Sequence, residues 1–176
     1  MPPKAKDAVA MLKAEHRAVE DLFEAFEAAK TQPKQKTLAM QICAELIIHA
    51  TIEEEIFYPA LRGKIDDDTL DEAYVEHDGA KLLISQLMAG KPAEPFYAAK
   101  VTVLADEIKH HVKEEEMSRE GMFAQATAAD VDLVALGEQM AARRAELEAM
   151  IKKEGLPTPV SRTLSVPELI IGEPVA

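Results

Sequence analysis

Apolar side chains recur along this chain at three- and four-residue spacing, the period that lines one face of an α-helix, in five separate stretches. Asp7 is placed to cap the first, which runs to about Lys30 with Val9, Leu12, Val19, Phe23 and Phe26 on one face. Thr31-Gln32-Pro33 is expected to end it. The second runs from about Gln35 to Leu61 on Ile42, Leu46, Ile56 and Ala60, and Arg62-Gly63 provides a stop. Asp66-Asp67-Asp68 opens a third, which carries Leu70, Ala73, Ala80, Ile84 and Leu87 and breaks at Gly90-Lys91-Pro92. The fourth begins near Glu94-Pro95 and carries Val101, Leu104 and Ile108 towards Gly121.

Helices of about 20 residues span about 30 Å each. Short connections make such neighbours antiparallel, so the pattern predicts an all-α, up-down-up-down four-helix bundle over residues 7–123. A weaker stripe between Asp130 and Glu154, with Leu133, Leu136, Met140, Leu147 and Ile151, predicts an additional C-terminal helix, placed at 127–154 and packed on the bundle. After Gly155, Pro157, Pro159, Pro167 and Pro174 rule against a regular helix. Residues 155–176 are therefore expected to be a proline-containing tail, either disordered or laid along the bundle.

Each of the first four stripes is interrupted at its own helical register. Positions 9, 12, 16, 19, 23 and 26 are apolar except at His16; positions 42, 46, 49, 53, 56 and 60 are apolar except at His49 and Glu53. His77 alone interrupts the third stripe, and the fourth is apolar until His111 and Glu115. Every helix thus turns one histidine inward, and alternate helices add a glutamate one turn later. A single histidine on an apolar stripe is ordinarily a hydrogen-bonded core residue. A buried carboxylate needs a positive partner or a proton. Two carboxylates among four imidazoles, with few inward basic residues, are better explained by bound cations. Imidazole nitrogen and carboxylate oxygen suit Fe, Mn or Zn, and a carboxylate can bridge two such ions.

Composition narrows the setting. The formal net charge of −12 repels nucleic acid and anionic lipid, so neither a nucleic-acid nor a membrane partner is expected. No window is long and apolar enough for a membrane span, and Met1-Pro2-Pro3-Lys4 does not open a secretory signal. Cys43, the single cysteine, excludes an intrachain disulfide and is expected to be a buried, inert thiol. A cytoplasmic monomer or homodimer is the plain reading.

The run His49-Ala-Thr-Ile-Glu53-Glu-Glu-Ile-Phe57-Tyr58-Pro59, the segment Val75-Glu76-His77-Asp78 and the run His111-Val-Lys-Glu-Glu115 together resemble the hemerythrin-like HHE cation-binding family. The resemblance covers roughly residues 7 to 123. It implies two iron ions with an oxo or hydroxo bridge, with Mn or Zn as other possible metals, held by His16, His49, Glu53, His77, His111 and Glu115. It also implies dioxygen, peroxide or nitric oxide as the small ligand that the protein binds, senses or reacts with. Peroxide-decomposing or nitric-oxide-processing enzymes and iron-responsive interaction modules are the alternatives.

This chain departs from the family pattern twice. Oxygen carriers usually place a second histidine one turn from the first on the third helix, where this chain has Ala73 and Lys81. One coordination position is thereby left to water, to an exogenous ligand, or to Glu20, Glu45 or Tyr74. Lys81 is expected either to pair with a carboxylate or to snorkel to the surface. No proline follows Glu115, which leaves Glu114 and Glu116 as competitors for its role, although Glu115 alone lies a full turn from His111. His110 points about 100° away from His111 and is expected outside the ligand set.

Overall fold

The computed structural model describes residues 7–165, so the expectation for the end of the tail, 166–176, lies outside the described residues. The helices are α1 (Ala8–Ala28), α2 (Gln32–Ile52), α3 (Tyr58–Leu61), α4 (Asp67–Ala89), α5 (Tyr97–Glu116), α6 (Met122–Ala128) and α7 (Leu133–Glu154). A π-helical turn, Glu53–Phe57, joins α2 to α3 in one rod. No strand occurs among the described residues.

Helix ends follow local chemistry. Asp7 accepts the Ala10 N–H at 2.8 Å, Asp66 that of Asp68 at 3.1 Å and Asp132 that of Ala135 at 3.0 Å, each satisfying a donor that a helix start leaves free. Lys36 reaches the last carbonyls of α4, donating to Gly90 at 2.7 Å and to Leu87 at 3.2 Å. The break expected at Thr31-Gln32-Pro33 lies slightly earlier, at residues 29–31, and Pro33 opens α2 instead of closing α1. α1 ends at Ala28, and Pro33 sits in the first turn of α2, where its missing N–H costs nothing. α5 stops at Glu116 rather than continuing towards Gly121. A Cβ at Gly121 would lie 2.6 Å from the Met117 backbone, so only glycine permits the sharp turn into α6.

α1, α2, α4 and α5 form the bundle, with contacts between α1 and α2, α2 and α4, α4 and α5, and α5 and α1 closing the ring. Their core is two apolar clusters. One holds Leu12, Ile52, Phe57, Leu61 and Leu70; the other holds Val19, Phe23, Ile42, Leu46, Ile84 and Leu104. His16, His49, Glu53, His77, His111 and Glu115 are all buried, and in each bundle helix they fall where the chain passes between the two clusters. The core is therefore layered, apolar–polar–apolar.

α7 packs on α1 and α2, burying Leu136, Met140 and Leu147 against the first cluster. Arg144 extends from it to Glu15 at 3.1 Å and to Glu45. Gly155, at φ +91°, ends α7, a conformation that favours glycine. Residues 155–165 then run along the bundle to α4. There the buried Asp78 carboxylate accepts the N–H groups of Arg162 (2.8 Å), Thr163 and Leu164 (3.0 Å) and the Thr163 hydroxyl (2.8 Å). These bonds hold Asp78 far below the usual carboxylate range even though burial opposes the shift.

Met140 is completely buried. Met140→Ala should lower unfolding free energy by about 2–4 kcal/mol through lost transfer energy and a residual cavity. Urea denaturation followed by far-UV circular dichroism checks it; a loss under about 0.5 kcal/mol would mean that α7 is not docked in solution.

Candidate metal centre

The rod that carries two of the predicted site residues is not a plain α-helix. Pro59 has no N–H with which to continue the α-helical ladder. Immediately before it the ladder widens, and the Tyr58 N–H bonds to the Glu53 carbonyl five residues back. This extra residue rotates everything downstream. Ile56 and Ala60, expected on the inward stripe, are only half-buried, whereas Phe57, Tyr58 and Leu61 are fully buried. The Tyr58 hydroxyl is thereby brought beneath Glu53.

The four histidines are oriented by carboxylates on their outer nitrogens. His16 Nδ1 meets Glu116 at 2.8 Å, His49 Nδ1 meets Glu15 at 2.8 Å, His77 Nδ1 meets Glu54 at 3.0 Å, and His111 Nδ1 meets Glu76 at 2.7 Å. Each acid serves the histidine of the next helix, so the supports form a closed ring around the bundle: α1 to α2, the π-helical turn to α4, α4 to α5, and α5 to α1. An ionised carboxylate only accepts, so each Nδ1 carries the hydrogen, and in the neutral imidazole each Nε2 is left with a lone pair facing inward.

Those lone pairs converge. His16 and His49 Nε2 are 3.2 Å apart, and His77 and His111 Nε2 are 3.3 Å apart. Glu53 Oε2 lies 3.3 Å from both His49 and His77 Nε2. Glu115 reaches His16 at 3.3 Å and His111 at 3.5 Å with its two oxygens. Both carboxylates therefore span the two histidine pairs. Donor atoms of His16, His49, Glu53 and Glu115 lie within 4.8 Å of one another, as do those of Glu53, His77 and His111. Buried Glu53 Oε1 and Glu115 Oε2 have no hydrogen-bond partner among the described residues. A layer of inward lone pairs and orphaned carboxylate oxygens fits cations, and these buried clusters are able to chelate a metal ion.

Burial and the Glu115 charge push Glu53 up to about 8. Burial acts the same way on Glu115, but His111 and His16 outweigh it and bring that group down to about 2. Tyr58, raised well above its usual value by burial and by both carboxylates, stays a neutral phenol. Its Oη is 3.2 Å from Glu53, 3.2 Å from Glu115 and 3.4 Å from His77.

The side chains weighed for the open coordination position lie elsewhere. Glu20 pairs with Arg17 at the surface, Glu45 with Arg144, and the Tyr74 hydroxyl donates to the Glu54 carbonyl. Lys81 is buried and bonded to Glu54 at 2.7 Å and Asp78 at 3.1 Å, the pairing alternative of its two readings. Glu114 faces outward beside the exposed His110, and Glu116 supports His16, which leaves Glu115 inside. Cys43 is buried, and burial pushes its thiol up to about 12.

Sequence reasoning missed Tyr58 as a member of this layer and missed all four supporting acids. Each of the four directly precedes or follows a residue of the layer, in Glu15-His16, Glu53-Glu54, Glu76-His77 and Glu115-Glu116. That adjacency was the available signal.

Residues 7–126 match the hemerythrin HHE cation binding domain, and the chain belongs to that family. A crystal structure of a hemerythrin HHE cation-binding-domain protein from Mycobacterium kansasii superposes with a TM-score of 0.69 at 24% identity, over 86% of this chain and 95% of that one. That likeness concerns the fold. A DNA nickase from a Nostoc species is 31% identical over 106 residues, 60% of this chain. The match spans only 30% of the nickase's length.

Tyr58→Phe removes the one phenol proton shared between two buried carboxylates. It should cost the metal-free protein about 1–3 kcal/mol in urea denaturation, with helicity retained. An unchanged midpoint would place the phenol outside this network.

Proposed function

We propose that the chain holds two iron ions, His16 and His49 serving one, His77 and His111 the other, with Glu53 and Glu115 spanning both. Mn or Zn would suit the same donors. The observation that carries this reading is the convergence of four buried Nε2 atoms on two buried carboxylates, two of whose oxygens, Glu53 Oε1 and Glu115 Oε2, have no hydrogen-bond partner among the described residues. The cofactor would exist as an iron pair with an oxo or hydroxo bridge. When bound it would supply Lewis acidity and reversible electron transfer towards dioxygen, peroxide or nitric oxide.

The residues around it have separable tasks in this proposal. Glu15, Glu54, Glu76 and Glu116 hold the histidine tautomers, Tyr58 keeps a proton between the spanning carboxylates, and the two apolar clusters exclude water. Ala73 and Lys81 supply no further nitrogen to the layer, since Lys81 is bound to Glu54 and Asp78. A position open to exogenous ligand favours chemistry on peroxide or nitric oxide over reversible oxygen carriage.

The nickase name is not carried over. The shared region is a minor part of that protein, and a net charge of −12 opposes a phosphate backbone. No helix among the described residues is long and apolar enough to cross a membrane. We take the working form to be a cytoplasmic monomer or homodimer.

Reconstitution with excess ferrous ion, followed by metal analysis, should give two ions per chain, and His77→Ala or Glu53→Ala should bring the count to one or fewer. Uptake should release protons and weaken below about pH 6, where protonated imidazole competes with metal. One ion per wild-type chain, or none, would end the dinuclear reading. Catalysed gas evolution from peroxide, lost in both variants, would establish turnover; a reversible oxygenation spectrum without turnover would establish carriage instead.

A further inference from the structure

The histidine layer also lines a partly enclosed cavity of about 390 Å³. Its inner wall is apolar, with Val19, Leu46, Ala80 and Ile84 among the lining side chains. Its outer wall is the segment from Pro157 to Val160, together with Arg162, and these residues lie beyond the 7–126 span of the family domain. That segment is fastened at its far end. Asp78 holds three consecutive N–H groups and a hydroxyl, and Arg162 Nε lies 2.9 Å from the buried Glu54 Oε2.

The size is informative. A dry cavity of about 150 Å³ already admits benzene, and ligand pockets begin at about 300 Å³. A diatomic molecule or hydrogen peroxide would leave most of this space empty. The charges point the same way. Lys81 and Arg162 line the cavity and both are paired with Glu54, while the lining Glu15 and Glu55 are paired with Arg144 and Arg143. Among the described lining residues an anionic ligand would therefore meet no unpaired lysine or arginine.

We propose that this cavity binds a neutral organic molecule with an apolar body the size of two or three aromatic rings, its polar end towards the histidine layer, and that residues 157–164 close over it as a strap latched on Asp78 and Glu54. This goes beyond the metal reading and does not require it.

The probe is N-phenyl-1-naphthylamine, a neutral two-ring-system dye that brightens in apolar surroundings, titrated into the full chain as purified with metal content measured alongside. Saturable one-to-one binding is expected. Ala50→Phe, which places a ring in the cavity wall, should weaken binding at least tenfold. Asp78→Ala, which releases the strap, should weaken it several-fold and speed tryptic cleavage after Arg162. In the wild-type chain the dye should slow that cleavage, a readout that stands even if a variant fails to fold. Absence of saturable binding, or binding that neither Ala50→Phe weakens nor Arg162 cleavage senses, would overturn the proposal. Because metal is counted separately, a chain that binds dye but takes up fewer than two ions on reconstitution contradicts only the dinuclear reading. A chain with two ions and no dye binding contradicts only this one.

Discussion

Four imidazoles, two carboxylates and one phenol share one layer of a buried core, with more acceptor atoms than protons to satisfy them. Every other feature of the bundle answers to that constraint. Acceptors packed against acceptors in a low-dielectric interior are costly unless positive charge arrives as protons or as metal ions. Protons are the poorer answer. Without cations, burial and the Glu115 charge raise Glu53 to about 8, and Glu53 Oε1 and Glu115 Oε2 have no hydrogen-bond partner among the described residues. Fixed cations would satisfy all six side chains at once and join four helices through one centre, which would link binding energy to folding energy.

The closed ring of outer acids explains how so crowded a layer keeps its geometry. Because Glu15, Glu54, Glu76 and Glu116 each hold the histidine of a neighbouring helix, no imidazole can rotate without disturbing the next interface. Glu54 is the point at which this ring meets the rest of the chain. Burial opposes its charge, but His77 and Lys81 hold its pKa below the usual value, and through Arg162 the C-terminal strap touches the support of His77 directly. The α7 helix acts similarly on the other side through Arg144 and Glu15, the support of His49. Segments outside the bundle thus bear on the histidine layer through its supporting acids.

Much of this was legible in the sequence because helical periodicity reports which side of a helix faces inward. His16, His49, His77 and His111 stood out as interruptions of otherwise apolar stripes, and the bundle followed from stripe lengths and short connections. What periodicity could not show was a change of period. Pro59 and the π-helical turn before it displace the register by one residue, so Tyr58, read as a flanking residue, enters the layer while Ile56 and Ala60 move to its margin. Nor does a stripe report contacts between helices: Glu15 adjoins His16 in sequence but supports His49. The latch on Asp78 joins residues more than eighty positions apart, beyond the reach of any local pattern.

We propose that cations, not protons, complete this layer. Matched thermal melts at pH 7 of metal-loaded and metal-free protein, with occupancy confirmed before heating, test it most directly. Both forms should be helical at low temperature and the loaded form should unfold at a clearly higher midpoint, the difference narrowing as pH falls towards 6 because uptake releases protons. Coincident melting curves at confirmed full occupancy would contradict it, because the metal would then lie outside the buried layer of His16, His49, Glu53, His77, His111 and Glu115.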